Sequence, residues 1–369
     1  MKKILVLGVA AVQYDAIKFI KETYQDVEVH AIAMKNDGIG SMVADIFTEI
    51  NIINIDEVVQ YVMENNINLI YSVGSDIAMP VVSKVSEMTG LPHFISSEVA
   101  HRCNKKDLMR SFLGESFKGN INFQALSNVE EFNFQIFGEY PIFLKPADSQ
   151  GQRGVIKINS HQQLLQEFEN TKSYSRSNLV IIEKYVDGPE ISVNGYLVNG
   201  VLKACEISDR VTWQKFEGLI HKHILPTHFS DDIFEKTANL LQRSASKMGI
   251  INGPVYAQMK VEQGEPYIIE ITPRLDGCHM WNLIYHTKKF NLLKLTFDHL
   301  LFNDLSELEN YNLGYEKQMT LEFLCQEPNT KAKYPEDFAD KNTSFRYYNE
   351  GDIIRPINNR FEKIAYRIF

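Results

Sequence analysis

Apolar segments of strand length alternate with helical patterns through the first 95 residues, and this alternation limits the fold more than any other feature of the chain. The helical patterns repeat their apolar residues at three- and four-residue spacing, whereas the strand patterns are short continuous apolar runs. Strands joined by helices in this order form a parallel sheet, so a small α/β domain is predicted. The predicted elements are strands at 3–8, 27–34 and 69–73 and helices at 12–20, 56–64 and 79–88.

The turn after the first strand reads Gly8-Val-Ala-Ala-Val-Gln13. A dinucleotide-binding turn needs further glycines at the third and sixth places, where this chain has Ala10 and Gln13. The turn therefore argues against a nicotinamide-dependent dehydrogenase, although it fits a β-turn-α opening.

Composition excludes several classes of protein. The formal net charge of −9 lacks the basic excess of a dedicated nucleic-acid binder. We find no run of about 18 apolar residues, so no membrane span is predicted. The four cysteines are widely spaced and form no CxxC pair, which favours reduced thiols in a cytoplasmic protein. They are Cys103, Cys205, Cys278 and Cys325.

From about residue 97 the pattern changes to a mixed α+β region. A hairpin is predicted in which strand 255–261 pairs with strand 267–272. The other predicted elements are helices at 104–114 and 231–248 and strands at 140–146, 154–158, 179–185, 190–197 and 319–325.

Lys145 lies in an otherwise apolar strand and precedes a polar loop that contains Gly151 and Gly154. A buried ammonium group needs an anionic partner. Backbone N–H groups of such a loop, together with a lysine, can hold phosphate oxygens. The alternative is a lysine at the strand edge whose ammonium reaches water.

The segment VIIEKYVDGPEISVNG places Glu183 at the end of one apolar strand and Glu190 at the start of the next. The backbone of residues 184–186 can meet the edge of a nucleobase, and Glu190 is suited to accept hydrogen bonds from ribose hydroxyls. An ordinary surface turn between two strands is the alternative.

A hairpin loop centred on Gly264 would set Gln258 opposite Glu270 and direct both side chains to one face. Thr272 points the same way. Oxygen atoms of Gln258 and Glu270 can hold Mg2+ together with phosphate oxygens, and Arg274 can clamp a carboxylate or phosphoryl group. A solvent-facing polar hairpin is the alternative.

Taken in this order, the motifs resemble the ATP-grasp superfamily, in the branch with carboxylate–amine ligases, biotin carboxylases and carbamoyl phosphate synthase large subunits. The resemblance covers about residues 1–300. It implies a Rossmann-like pre-ATP-grasp domain over 1–96, a two-lobed ATP-grasp domain over 97–300, and a C-terminal α+β unit over 301–369. The small lobe would span about 105–186 and the large lobe about 187–300.

The resemblance also assigns ATP-binding residues. Lys106 matches the family's first phosphate lysine, with Lys105 as the alternative, and Lys145 matches the second. The loop after Lys145 is similar to the family's lid, although it is poorer in glycine than in many relatives. The implied ATP-binding set is Lys106, Lys145, Ser149, Gly151, Gly154, the adenine hinge Glu183, Lys184, Tyr185 and Val186, and the ribose acid Glu190.

Gln258, Glu270 and Thr272 match the metal-ligand positions of the family. Thr272 is a departure, because many relatives have asparagine there. Arg274 matches the arginine that positions the reacting anion, so Arg274 and Lys145 are the implied catalytic residues.

The implied activity is that of a ligase that uses ATP and Mg2+ (or Mn2+) to convert a carboxylate into an acyl phosphate for attack by an amine. Bicarbonate activation and a catalytically silent ATP-binding regulatory module are the alternatives. The implied partners are small molecules, with no nucleic acid or membrane, and a homodimer is expected by analogy. Candidates for substrate recognition are Arg210, Trp213, His221, His223, Asp276 and His279.

Overall fold

The computed structural model describes residues 1–148, 154–312, 314–338, 343–357 and 361–369. They form three β-sheets with helices packed against them. Four short 3-10 helices occur in the connections, at Ile39–Met42, Val129–Glu131, Phe134–Ile136 and Ser306–Asn310.

The first sheet is parallel, with strand order β3-β2-β1-β4, and it confirms the α/β fold predicted from the alternating pattern. Its third helix ends at Gly90, which takes the left-handed conformation that favours glycine (φ 72°). The strands are β1 (Lys2–Leu7), β2 (Val27–Ala33), β3 (Ile46–Glu49) and β4 (Leu69–Tyr71), and the helices are α1 (Ala11–Thr23), α2 (Ile55–Glu64) and α3 (Ala78–Thr89).

The helix predicted over 104–114 corresponds to one helix over 106–113, and a further helix that was not predicted precedes it over 97–104. Lys105 has an extended backbone (φ −114°, ψ 120°), which breaks the helical hydrogen bonds between α4 (Ser97–Asn104) and α5 (Lys106–Leu113). Lys106 is therefore the first residue of α5, and its N–H donates to the carbonyl of Ala147 at 3.4 Å. This bond joins α5 to the end of the strand that carries Lys145.

The second sheet is antiparallel, in the order β5-β8-β6-β7, and has its own apolar core. Leu144 and Ile182 from the strands pack there against Leu164 and Phe168 from the covering helix. Its elements are β5 (Phe123–Leu126), β6 (Ile142–Pro146), β7 (Ile156–Ile158), α6 (His161–Lys172) and β8 (Val180–Lys184).

The third sheet has eight strands in the order β13-β12-β9-β10-β11-β14-β16-β15. The last three come from the end of the chain, so the proposed C-terminal unit extends the sheet of the large lobe. The elements are β9 (Glu190–Val198), β10 (Val201–Trp213), β11 (Phe216–Leu225), α7 (Asp231–Met248), β12 (Gly253–Glu262), β13 (Glu265–Thr272), α8 (Met280–Lys288), α9 (Leu292–Phe302), β14 (Met319–Gln326), β15 (Ser344–Arg346) and β16 (Glu362–Ile368).

The first and third sheets share one continuous apolar core. The ring of Phe297 on α9 lies 5.7 Å from that of Tyr71 on β4 and 6.4 Å from that of Phe19 on α1. Because the second sheet packs around a separate core, the molecule has a small lobe set against a larger body. Within the described residues, no helix is long and apolar enough to cross a membrane.

Candidate active site

A cavity of about 750 Å³ lies between the small lobe and the large sheet. It brings together residues that are far apart in the sequence and that were predicted to bind a nucleotide. Those in its wall are Lys145, Glu183, Lys184, Tyr185, Val186, Glu190 and Gln258, joined by Arg210 from the predicted substrate set. The volume is within the range of small-molecule and cofactor sites.

Lys145 and Glu183 form a buried ion pair on neighbouring strands of the small lobe. Arg110 of α5 completes the cluster, donating from Nε to Glu183 Oε1 at 2.8 Å. Burial alone would raise the pKa of the Glu183 carboxyl, but the two cations lower it to about 2. Burial lowers the pKa of the Lys145 ammonium, and the Glu183 carboxylate opposes that shift and favours the charged form. Lys145 therefore lies in a buried ion pair at the cavity wall, and the alternative of a lysine at a free strand edge is wrong.

Arg110 was not predicted. Its guanidinium also donates to the carbonyl of Ile268 at 2.7 Å and that of Ile269 at 3.2 Å, both in β13. The side chain is fully buried, so a single residue ties the small lobe to the predicted metal-binding strand. In the sequence it follows helical spacing and resembles a surface arginine.

The hinge after β8 is surrounded by lysines that the sequence analysis missed. Lys260 donates to the carbonyl of Val186 at 3.1 Å. Its ammonium lies 5.2 Å from the ring of Tyr185, and that of Lys157 lies 3.9 Å from the same ring. Lys157 and Lys260 both line the cavity, so they add positive charge that favours an anionic ligand.

Glu190 is held by neighbouring strands rather than lying free in a turn. Arg210 Nε lies 3.0 Å from Glu190 Oε2, and Gln258 Nε2 donates to the same oxygen at 2.9 Å. Arg210 also donates to the hydroxyl of Tyr256 at 3.1 Å. The predicted ribose acid and the predicted metal ligand Gln258 therefore belong to one polar network.

Gln258 pairs with Glu270 across β12 and β13, as predicted. The position of the turn and the register of the hairpin differ from the prediction, however. The turn is centred between Gln263 and Gly264, both with positive φ, which would set Glu270 opposite Ala257. A bulge at Ile269 adds one residue to β13 and restores the predicted pair.

Thr272 and Arg274 both bind Asp76, which follows β4 and was not predicted. Arg274 forms a bidentate ion pair with Asp76, from Nε to Oδ1 at 2.6 Å and from Nη2 to Oδ2 at 2.7 Å. Thr272 Oγ1 also donates to Asp76 Oδ1, at 2.9 Å. Burial raises the pKa of Asp76, but Arg274, then Thr272 and Lys106, lower it overall. The first domain therefore supplies the group that orients Arg274.

The predicted metal ligands offer one carboxylate, one amide oxygen and one hydroxyl, from Glu270, Gln258 and Thr272. Gln258 uses its amide nitrogen for Glu190, so its oxygen can still coordinate a metal. No cluster of three histidine, cysteine or acidic residues suited to a metal occurs in the described part of the chain. This donor set fits Mg2+, which is commonly bound through one or two carboxylates together with water and phosphate oxygens.

The predicted substrate residues do not form one cluster. Trp213 stacks on His221 with ring centroids 3.8 Å apart, and His221 lies 3.3 Å from Glu322. His223 is fully buried next to Ser208, and burial lowers its pKa well below the ordinary value. Asp276 and His279 lie beyond Arg274, where burial raises the pKa of Asp276.

Gly154 takes a positive φ of 72°, and a side chain there would collide with Tyr174 and Pro146. Ser149 and Gly151 lie outside the described residues. The ATP-binding, metal-binding and substrate-binding roles given to all of these residues stay predictions.

Residues 138–281 match the family model of the ATP-grasp domain. The chain therefore carries an ATP-grasp domain, and the resemblance drawn from its motifs is confirmed.

Among known proteins, D-alanine–D-alanine ligase of Flavobacterium johnsoniae is 26% identical over 196 residues, which are 50% of this chain and 59% of that ligase. The chain thus spans less than two thirds of that relative.

Solved structures are similar over the whole chain. An L-amino acid ligase of Bacillus licheniformis has a TM-score of 0.78 and 14% identity, covering 100% of this chain and 93% of that one. The biotin carboxylase domain of the Hydrogenobacter thermophilus 2-oxoglutarate carboxylase, a dimer in complex with MgADP and bicarbonate, has a TM-score of 0.81 and 16% identity, with coverages of 100% and 85%. At these identities the likeness establishes the fold.

Proposed function

We propose that the protein is an ATP-dependent ligase that converts a carboxylate into an acyl phosphate and transfers the acyl group to an amine. The observation that carries this proposal is the single cavity that contains the hinge, Lys145, Glu190 and Gln258. The fold of the L-amino acid ligase and the sequence match to D-alanine–D-alanine ligase support the same class of reaction.

In this proposal the adenine lies against the hinge backbone and the ribose lies near Glu190. The triphosphate then extends toward Lys145, which the buried carboxylate of Glu183 orients and favours in its charged form. Lys106 at the start of α5 is the first phosphate lysine, and Lys145 is the second. A fixed cation is most effective here because it needs no rearrangement as negative charge develops on the transferred phosphoryl group.

Gln258, Glu270 and Thr272 would hold Mg2+, which supplies positive charge to the phosphate oxygens. Arg274, oriented by Asp76, would bind the carboxylate that attacks the γ-phosphoryl group. Its planar guanidinium suits a carboxylate or phosphate. The chain needs no nucleophilic side chain, because the carboxylate itself attacks.

The proposal extends to the organisation of the chain. We propose the domains 1–96, 97–300 and 301–369, with lobes at about 105–186 and 187–300. A cytoplasmic homodimer acting on small molecules is part of the same proposal, supported by the dimer of the 2-oxoglutarate carboxylase domain.

Replacing Lys145 by alanine is expected to weaken ATP binding by about 10- to 100-fold, the loss of one charge-assisted contact to phosphate. Calorimetric titration with a non-hydrolysable ATP analogue measures the change in Kd. Glu183 keeps its bond to Arg110 in this variant, so the fold should survive. The control is Lys203→Ala, an exposed lysine on β10. An unchanged Kd would remove Lys145 from the phosphate site.

Phosphate release from ATP tests the function directly. Purified protein with Mg2+ is assayed against amino acids, other small carboxylates and bicarbonate, each with and without amines. Release that requires one carboxylate and one amine supports the ligase. Release driven by bicarbonate supports carboxylase-type activation instead, and ATP binding without any turnover supports a regulatory module.

A further inference from the structure

The bulge at Ile269 changes the backbone groups that β13 presents at its outer edge. β13 lies at one end of the large sheet, and among the described strands only β12 pairs with it. In a regular strand, successive carbonyls point to opposite edges. The carbonyls of Ile268 and Ile269 instead both accept from the side chain of Arg110, at 2.7 Å and 3.2 Å. The bulge therefore presents two neighbouring carbonyls to one guanidinium.

The guanidinium of Arg110 has the geometry to bind both carbonyls at once. Its Nη1 donates to Ile268 and its Nη2 to Ile269, while its Nε donates to Glu183. Nη1 also donates to Asn120 Oδ1 at 3.0 Å. The donors of an arginine form a planar fork of fixed shape, so these four bonds hold the group in one position. They also satisfy buried carbonyls that would be costly to leave without a donor.

The chain that follows α5 covers the same edge of β13. Asn120 Nδ2 donates to the carbonyl of Arg110 at 3.1 Å and to that of Gly114 at 3.0 Å. The carbonyl of Gly119 accepts from the N–H of Ile268 at 2.9 Å. Residues 110–120 therefore supply both donors and an acceptor to the edge of β13 where the bulge lies.

The bulge decides which face of the hairpin carries Glu270. Without it, the position of the turn would set Glu270 opposite Ala257, which is fully buried. A carboxylate on that face would be removed from water at a high cost in free energy. With the bulge, Glu270 lies opposite Gln258, which lines the large cavity. The backbone that Arg110 binds is thus the segment that turns Glu270 toward its predicted metal-binding partner.

Arg110 also contacts the partner of Lys145. It binds one carboxylate oxygen of Glu183, and Lys145 binds the other. One guanidinium therefore touches the carboxylate that pairs with the predicted phosphate lysine and the backbone next to the predicted metal ligand. These two groups belong to different sheets, and the contacts of Arg110 fix one relative to the other.

Resting on the proposed ligase function, we infer that Arg110 is a positioning residue that presents Glu270 to Mg2+ by holding the bulge at Ile269. It touches neither ATP nor substrate. Because Mg2+ requires near-ideal octahedral geometry and is held here by few protein ligands, a small displacement of one carboxylate weakens its binding. Residues that orient a metal ligand contribute strongly to metal affinity for this reason.

Arg110→Lys separates this role from the buried ion pair. Lysine keeps a cation for Glu183, but its single ammonium cannot bind the carbonyls of Ile268 and Ile269 together. The Mg2+ concentration for half-maximal phosphate release is expected to rise by about 10-fold or more. Calorimetry with a non-hydrolysable ATP analogue gives a second readout without turnover. The tightening of analogue binding by Mg2+ should be lost, while the Kd without Mg2+ stays close to that of the wild type.

Asn120→Ala tests the same contact with Arg110 left in place. It removes one acceptor of the guanidinium, so it should weaken the Mg2+ effect in the same direction, and it decides the question if Arg110→Lys does not fold. The control is Arg243→Lys, an exposed arginine whose Nη2 donates to the carbonyl of Lys118 in the covering segment, at 3.3 Å. The control should leave both Kd values unchanged. Urea unfolding shows which variants are folded.

Equal weakening of analogue binding with and without Mg2+ would show that Arg110 supports the fold or the nucleotide cavity alone. An unchanged Mg2+ effect in the folded variants would show that Glu270 does not depend on Arg110. Either result overturns the inference and leaves the ligase proposal standing, provided that the wild type responds to Mg2+. A wild-type protein whose analogue binding and phosphate release ignore Mg2+ would overturn the proposed metal site together with this inference.

Discussion

Replacing Glu183 by alanine is expected to lower the free energy of unfolding by about 3–5 kcal/mol, the usual cost of leaving buried charges without a partner. Glu183 is 1% exposed and is the carboxylate between Lys145 and Arg110. Its removal leaves two cations close together in an apolar lobe. Lys145 also loses the group that orients it, so ATP affinity should fall as well.

Urea unfolding at neutral pH measures this loss. The control is Glu139→Ala, because Glu139 lies 3.7 Å from Lys184 but its side chain is 73% exposed. An exposed ion pair of this kind contributes little to the stability of the folded protein. The control should therefore change the free energy of unfolding by no more than about 1 kcal/mol. A loss in Glu183→Ala as small as that of the control would contradict the ion-pair cluster described here.

The same cluster predicts a pH dependence. The pKa of Glu183 is lowered from 4.5 in the unfolded chain to about 2 in the folded protein, so its contribution to stability is complete above pH 5. The contribution is lost as the pH falls from about 5 toward 2, because the unfolded chain takes up the proton first. Glu183→Ala should lack this part of the acid sensitivity, which unfolding curves at several pH values will measure.

Glu270→Ala is expected to reduce turnover by about 1000-fold, because Glu270 is the only carboxylate among the predicted metal ligands and metal charge contributes several kcal/mol to such reactions. Binding of ATP in the absence of Mg2+ should change little. Mg2+-dependent phosphate release measures the effect, with thermal unfolding to check that the hairpin is intact.

Glu265→Ala is the matched control for this variant. Glu265 lies on the same strand and forms salt bridges with Lys118 and Lys236 at 2.8 Å and 3.3 Å, near the turn rather than beside Gln258. Its loss should leave turnover unchanged. Full turnover in Glu270→Ala would remove Glu270 from the metal site.

The sequence was sufficient to predict the fold class and the order of the motifs, because strand and helix periodicity are local properties. It also predicted that Gln258 and Glu270 are paired, but from a turn centred on the wrong position. Periodicity contains no signal for a bulge such as that at Ile269. The prediction of the pair was correct because the shift in the turn and the extra residue of the bulge cancel in the register of the hairpin.

Contacts between distant segments were the main omission. Asp76 and Arg274 are separated by 198 positions, and Arg110 and Ile268 by 158. Each partner looks ordinary in its own segment, as a loop acid or a helix arginine. The roles of these residues depend on which helices and strands pack against one another. Local propensity and residue spacing do not specify that packing.

The shared core of the first and third sheets limits which segments of this chain can be exchanged with those of a relative. Residues of α1, β4 and α9 pack into one apolar interior, whereas the small lobe keeps an interior of its own. A chimaera that exchanges only the first domain would cut through packed side chains and expose them to water. The small lobe is the better segment to exchange between relatives, if Arg110, Glu183 and Lys145 are exchanged together.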